Sequence, residues 1–287
     1  MNAASAMDAA LSVRTLSGSN LTKVGLGCSR IGSFNNPIPT RAIRELLAQS
    51  LDIGVNIFDT ADIYGQGDSE REVGRAVAGR RDDVFVVTKV GKRFSARMRL
   101  LRPLKPLIKP LLAASGKGGQ SVTARRSANL AGDFDARRLE RAVDDSLRHL
   151  GMDAVDGLLL HSPPATVVRD PAVGQLLERL RQAGKVRHYG VSCDDLAALE
   201  AALTLDGLDL LQLPLDVLDE ARHAGLIVKI VDRGIAVFAR EVVRLSPTLS
   251  PIQAIARACG RPGVTSCIVG TSNPTHLRAA VAAAAGR

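Results

Sequence analysis

Short runs of apolar residues alternate along this chain with longer segments in which apolar residues recur every three or four positions. The short runs are rich in Val, Leu and Ile and lack strict apolar–polar alternation, which is typical of parallel strands buried on both faces. Eight such strands are predicted, at Val24–Cys28, Val55–Thr60, Val84–Val90, Gly157–His161, His188–Cys193, Leu210–Leu213, Ala236–Arg240 and Ser266–Gly270.

The segments between the predicted strands have the spacing of amphipathic helices. Thr40 is predicted to cap a helix that ends near Gly54, and Gly151 follows another apolar stripe as a C-terminal glycine. A third helix is predicted from Pro171 to Ala183, and Asn273 before Pro274 has the pattern of a capped helix start.

Eight alternating strand and helix units predict an α/β protein whose parallel sheet closes into a single-domain (β/α)8 TIM barrel spanning residues 1–287. The alternative is an open doubly wound sheet. That fold usually has a G-x-G-x-x-G motif after its first strand, whereas Gly25 and Gly27 here lack the third glycine.

The third unit is longer than the others and contains most of the excess positive charge. The net charge is +9, and the stretch from Arg93 to Arg126 has nine basic residues and no acidic one. We interpret residues 93–132 as a basic loop insertion, so the charge does not indicate a nucleic-acid-binding face. Three interpretations stay open for residues 93–126: a solvated loop, a lid for an anionic substrate, or a surface for an acidic carrier protein or membrane.

Targeting and cysteine patterns favour a cytoplasmic protein. The N-terminus lacks a basic signal-peptide region, and no apolar run is long enough for a membrane span. The four cysteines form no CxxC pair and have no zinc-finger spacing, so we expect reduced thiols and no metal site.

Ionisable side chains stand at the ends of three consecutive predicted strands: Asp59, Lys89 and His161. In a barrel these ends meet at one face, where active sites form. A buried lysine needs an opposing charge, which Asp59 could supply, and a nearby cation is expected to lower the pKa of Tyr64. Tyr64 would then act as a general acid towards a carbonyl oxygen, with His161 orienting the carbonyl or relaying the proton.

Five ordered motifs resemble those of bacterial-type aldo-keto reductases. Residues 54–65 (GVNIFDTADIYG) resemble the signature G-x-N-x-x-D-T-A-x-x-Y-G, and residues 158–163 (LLLHSP) resemble L-L-x-H-x-P. The Thr-Lys pair at 88–89, the GKVRHYGVS stretch at 184–192 and the segments at 263–266 and 270–274 match further motifs in order. The resemblance extends from about residue 14 to residue 280.

The resemblance implies an oxidoreductase that uses NADPH, or less readily NADH, to reduce an aldehyde or ketone or to oxidise an alcohol or sugar. It implies the catalytic tetrad Asp59, Tyr64, Lys89 and His161, with Tyr64 as general acid. The cofactor contacts that it implies are Gly27, Cys28, Asp59, Ser192, Cys193, Gln212, Arg240, Gly270, Thr271, Ser272 and His276.

The sequence departs from the family mainly where the cofactor is expected to bind. Cys193 replaces an asparagine, Arg240 replaces the tyrosine that commonly stacks on nicotinamide, and Gly270 and His276 replace the Lys and Arg that usually grip a 2′-phosphate. The chain after the seventh strand is also short. Two alternatives to the reductase therefore stay open: a non-redox acid–base enzyme, such as a lyase or epimerase using Tyr64 and Lys89, and a nucleotide-sensing binding subunit.

Overall fold

The computed structural model describes residues 12–16, 19–32, 39–94 and 130–286. Its strands, numbered in chain order, are β1 (Ser12–Leu16), β2 (Ser19–Thr22), β3 (Val24–Gly27), β4 (Ile57–Asp59), β5 (Phe85–Val90), β6 (Lys92–Phe94), β7 (Leu130–Gly132), β8 (Val155–His161), β9 (Val186–Ser192), β10 (Leu210–Pro214), β11 (Ala236–Arg240) and β12 (Ser266–Val269). All eight predicted strands are confirmed, with small shifts at their ends.

The helices are α1 (Thr40–Asp52), α2 (Asp68–Val77), α3 (Ala136–Leu150), α4 (Ala165–Val168), α5 (Pro171–Gln182), α6 (Leu196–Ala202), α7 (Leu215–His223), α8 (Leu226–Asp232), α9 (Pro251–Cys259) and α10 (Pro274–Ala284). Gly151 ends α3 in a left-handed conformation, and the Asn273 side chain caps α10 by accepting from Thr275 N, as predicted. The predicted cap at Thr40 is wrong: Pro39 holds the N-cap position and Thr40 is the first helical residue.

Eight parallel strands close into a barrel in the order β3, β4, β5, β8, β9, β10, β11, β12 and back to β3. The predicted (β/α)8 fold is confirmed. Alternate residues of each strand face inwards, so Ile57, Phe85, Leu159, Leu210 and Phe238 fill the interior in one cluster. The other face of each strand packs on the helices in a second, larger cluster.

Two short hairpins that were not predicted flank the barrel. Leu16 and Leu21 of the antiparallel pair β1–β2 join the interior cluster, so this hairpin packs against the barrel core. The antiparallel pair β6–β7 forms the base of the basic insertion, where Arg93 makes an ion pair of 3.1 Å with Asp133. The rest of the insertion, residues 95–129, lies outside the described residues, so the interpretations of its role stay predictions.

At two positions of the scaffold, the backbones pack so closely that glycine is required. A Cβ atom on Gly190 of β9 would stand 1.6 Å from the Leu210 carbonyl oxygen, and one on Gly74 of α2 would stand 2.0 Å from the Leu150 carbonyl oxygen. Only glycine fits where two backbones approach so closely. Within the described parts of the chain, no helix is long and apolar enough to cross a membrane.

Candidate active site

The inward-facing positions at the carboxyl ends of the strands carry polar residues instead of apolar ones. On β5, Phe85 and Val87 face the interior and Lys89 follows on the same side, since strand residues alternate between faces. By the same alternation Asp59 follows Ile57, His161 follows Leu159, Gln212 follows Leu210 and Arg240 follows Phe238. The structure therefore brings these five predicted site residues to one end of the barrel.

Asp59 and Lys89 form a buried ion pair at the centre of this site. The Lys89 ammonium lies 2.6 Å from Asp59 Oδ1, and their side chains are only 1% and 7% exposed. Lys89 also donates to the Thr60 carbonyl at 3.0 Å, and Gln212 Nε2 donates to Asp59 Oδ1 at 2.9 Å. Burial lowers the pKa of Lys89, but the charge and hydrogen bond of Asp59 together with Tyr64 outweigh burial and raise that pKa, so the ammonium is charged.

Tyr64 lies beside this ion pair, at the start of a 3-10 segment, Tyr64–Gly67. The Lys89 ammonium is 5.1 Å from the centroid of its ring. The predicted lowering of the Tyr64 pKa is wrong in direction. Burial raises the pKa of Tyr64, and although Lys89 and Arg240 act in the opposite direction, they do not outweigh it. Tyr64 is therefore a firmly protonated phenol.

His161 completes the cluster from the end of β8. Its ring meets the Tyr64 ring edge to face, with centroids 5.9 Å apart. Burial, reinforced by Lys89, Lys92 and Arg240, holds the pKa of His161 well below its ordinary value, so the imidazole is neutral. Its Nδ1 atom is buried and has no hydrogen-bond partner among the described residues. An unsatisfied buried polar atom is costly, so this atom favours a polar group entering the site.

Arg240 is anchored between the ends of β9 and β11. Its guanidinium forms ion pairs with Asp194 and Glu241 and donates to the Cys193 carbonyl at 3.2 Å. Glu241 in turn pairs with Arg244. Because a guanidinium is a flat group that can stack on rings, these contacts hold a planar surface at the mouth of the barrel. The sequence did not reveal Asp194 and Glu241 as its partners.

The remaining predicted cofactor residues divide into three groups by position. Ser192 lies beside Gln212, with its hydroxyl donating to Gln212 Oε1 at 3.4 Å. The thiols of Cys28 and Cys193 pack in the apolar layer between the barrel and the helices, so only their backbones face the site. Gly27 ends β3 and is the register partner of Asp59 on β4. The other four residues follow the last barrel strand, β12, and lead into or belong to α10: Gly270, Thr271, Ser272 and His276.

Strained backbone residues mark the same end of the barrel. Among the described residues, three that are not glycine have positive φ: Gln66 at 60°, Ser162 at 51° and Glu241 at 59°. Ser162 directly follows His161, Glu241 directly follows Arg240, and Gln66 lies two residues after Tyr64. Such conformations cost about 1–3 kcal/mol each and cluster at active sites, where they aim neighbouring side chains.

A second acidic group, which sequence reasoning missed, lies behind the ion pair. Glu70 is fully buried, accepts from the Thr88 hydroxyl at 2.7 Å and pairs with His149 Nδ1 at 2.9 Å. Burial and then Glu70 raise the pKa of Asp62 well above its ordinary value, which favours the protonated form of this carboxyl group. Asp62 lies inside the matched motif at residues 54–65 and Glu70 lies just beyond it, but only the fold shows that the two carboxyl groups are neighbours.

Comparison with known proteins identifies related sequences over most of the barrel. A family model described as the aldo/keto reductase family matches residues 23–251. An uncharacterized oxidoreductase of Bacillus subtilis is 28% identical over 173 residues, covering 60% of this chain and 45% of the relative. An aldo-keto reductase of Schizosaccharomyces pombe, named with NADP(+), is 25% identical over 181 residues, covering 62% of this chain and 44% of the relative. The chain spans about half the length of these curated relatives.

A solved structure matches the whole fold. A putative aldo-keto reductase from Pseudomonas aeruginosa superposes with a TM-score of 0.72 and 26% sequence identity, covering 96% of this chain and 93% of that one. The matched family segment contains the whole Asp59–Tyr64–Lys89–His161 cluster, and the structural match includes the same closed barrel. The chain belongs to the aldo/keto reductase family.

Proposed function

We propose that this protein is an NAD(P)H-dependent oxidoreductase that reduces an aldehyde or ketone, or oxidises the corresponding alcohol or sugar, with Tyr64 as general acid. The observation that carries the proposal is the cluster in which a protonated tyrosine lies 5.1 Å from a lysine ammonium that is itself paired with Asp59 at 2.6 Å. A neutral histidine borders the same tyrosine.

The cluster can donate a proton to a substrate carbonyl oxygen and stabilise the tyrosinate that results. The raised pKa of Tyr64 keeps its proton on the phenol until the substrate oxygen becomes an alkoxide, which is a stronger base than a phenolate. Lys89 then stabilises the tyrosinate, because Asp59 keeps the ammonium charged and in place. The neutral His161 can donate or accept a hydrogen bond at the same oxygen without adding a second charge.

The polar residues across the barrel fit a nicotinamide cofactor. Ser192, Gln212 and Arg240 would hold the nicotinamide end, and the segment from Gly270 to Ser272 would hold the adenosine phosphate. A Cβ on Gly270 would meet no atom within 4 Å, so this loop has open space beside the start of α10. Free N–H groups at a helix start suit an anion. The bound cofactor would supply the hydride, and we favour NADPH over NADH, as in the yeast relative's name.

An anionic substrate is the second part of the proposal. Lys92 is half-buried beside the site, and its ammonium acts on His161 together with Lys89 and Arg240. Asp59 pairs with Lys89, and Asp194 and Glu241 pair with Arg240. No described residue forms an ion pair with Lys92, on which Asp194 acts only from a longer distance. A carboxylate or phosphate on the substrate would supply the missing charge.

The first experiment is titration calorimetry with NADPH and NADH, followed by turnover of a panel of aldehydes. Tyr64→Phe should bind NADPH like the wild type but lose about 10²–10⁴-fold in kcat/KM, the usual contribution of a general acid. The matched control is Tyr189→Phe, since the chain has two tyrosines and the Tyr189 hydroxyl bonds the Asp206 carbonyl on the outer side of the barrel. Full activity of Tyr64→Phe would refute the assigned role.

The substrate charge has a separate test. Lys92→Met should lower kcat/KM for 4-carboxybenzaldehyde about tenfold or more while leaving the neutral benzaldehyde unchanged, as expected for one charge-assisted hydrogen bond. Arg93→Met is the control, because neighbouring strand residues face opposite sides and Arg93 pairs with Asp133. Equal losses on both aldehydes would refute the substrate charge and leave the reductase proposal standing.

A further inference from the structure

Two cysteines meet on the outer side of the barrel, away from the proton-transfer cluster. Cys259 is the last residue of α9, and Cys267 is the second residue of β12. The Cys267 backbone N–H donates to the Lys23 carbonyl oxygen at 2.8 Å, and the Cys259 thiol donates to that same oxygen at 3.4 Å. One acceptor therefore holds the end of the helix beside the start of the strand.

The two cysteines share this acceptor and the same apolar layer. Ile268 faces the barrel interior, so its neighbour Cys267 faces the helices, and Cys259 packs against that same apolar layer. A hydrogen bond with the Cys267 thiol lowers the pKa of Cys259 against the effect of burial, and the Lys23 ammonium adds to the lowering. Cys259 is half-buried, whereas Cys267 is fully buried.

The other two thiols of the chain have no such environment. Cys28 and Cys193 are fully buried, and each thiol donates only to a backbone carbonyl two residues earlier. Burial raises the pKa of both thiols. Because the thiolate is the reactive form, Cys259 is a half-buried, activated thiol with a neighbouring cysteine, and Cys28 and Cys193 are two inert thiols for comparison.

We propose that Cys259 and Cys267 form a reversible disulfide in response to hydroperoxides, at a site separate from the catalytic end of the barrel. The Cys259 thiolate attacks a peroxide oxygen, the O–O bond breaks, and hydroxide leaves with a sulfenic acid on Cys259. The Cys267 thiol then attacks that sulfur and gives its proton to the departing hydroxide. Two thiols are oxidised to one disulfide, and one hydrogen peroxide is reduced to two waters.

The test treats the full-length protein with hydrogen peroxide, unfolds it in N-ethylmaleimide and digests it with trypsin. Both cysteines fall in the single tryptic peptide 258–278, because the Arg261–Pro262 bond resists trypsin. We expect this peptide to become lighter by two hydrogens and to carry no label, and to take two labels after reduction by dithiothreitol. The peptides containing Cys28 and Cys193 should stay fully labelled throughout.

Cys259→Ser serves as the control variant, since it keeps the site's size and leaves Cys267 without a partner. In this variant the remaining thiol should stay labelled at the same peroxide dose. The proposal is overturned if the wild-type peptide keeps both labels after free cysteine in the same solution is fully oxidised. It is also overturned if Cys28 and Cys193 lose their labels as fast as the pair.

Discussion

Replacing Lys89 by Met tests how much the buried ion pair with Asp59 contributes to the free energy of unfolding. The substitution keeps the volume of the side chain but leaves the Asp59 carboxylate, 7% exposed, with only the Gln212 amide at 2.9 Å. It also removes the donor to the Thr60 carbonyl. Breaking one partner of a buried pair costs about 3–5 kcal/mol, since the other charge stays desolvated. That is a large part of the roughly 5–15 kcal/mol that stabilises a typical domain.

The double variant Asp59→Asn, Lys89→Met separates the orphaned charge from lost packing. With a neutral amide at position 59, most of the loss should be recovered, giving a coupling free energy of about 2–3 kcal/mol in a double-mutant cycle. Urea unfolding followed by far-ultraviolet circular dichroism measures these free energies, because the chain has no Trp. A cost of Lys89→Met below about 1 kcal/mol, or simple additivity of the two single variants, would refute the reasoning.

Three further changes test the scaffold, the cofactor loop and the proton donor. Gly190→Ala should unfold the barrel or cost more than about 4 kcal/mol in thermal melts, because its Cβ would stand 1.6 Å from the Leu210 carbonyl oxygen, whereas Gly79→Ala, with open space, should be neutral. Gly270→Lys should raise the NADPH over NADH affinity ratio about tenfold in calorimetry, since the loop has room for an ammonium near a 2′-phosphate; an unchanged ratio would contradict the loop's assignment. Because the pKa of Tyr64 is raised above the ordinary tyrosine value of 10, we expect kcat/KM for carbonyl reduction to stay constant as the pH rises to 10. A fall in kcat/KM at lower pH would contradict this.

The strands were predictable because parallel strands covered on both faces are continuous apolar runs, and here each run is bounded by glycine or polar residues. The β1–β2 hairpin could not be predicted in the same way, because its pairing depends on how Leu16 and Leu21 pack against the barrel core. Helix α8 was also missed, because it follows α7 after a single break at Gly225. Short elements like these are determined by tertiary packing more than by local pattern.

The site was predictable in its residue types but not in its electrostatics. The spacing of Asp59, Tyr64 and Lys89 was enough to place them together, whereas the direction of the Tyr64 pKa was wrong. That direction depends on how far burial outweighs the neighbouring cations, and burial is a property of the folded chain. The partners of Arg240 were hidden for a similar reason, since Asp194 follows a different strand and meets it only across the barrel mouth.

The order of strands around the barrel divides six of the site residues between two arcs, each made of three adjacent strands. Asp59, Lys89 and His161 come from the adjacent strands β4, β5 and β8, whereas Ser192, Gln212 and Arg240 come from the adjacent strands β9, β10 and β11. The hydrogen bond from Gln212 to Asp59 joins the two arcs. Under the proposed function, the predicted 2′-phosphate contacts Gly270 and His276 follow β12 and belong to neither arc, so the preference for NADPH or NADH can change without rebuilding the proton donor.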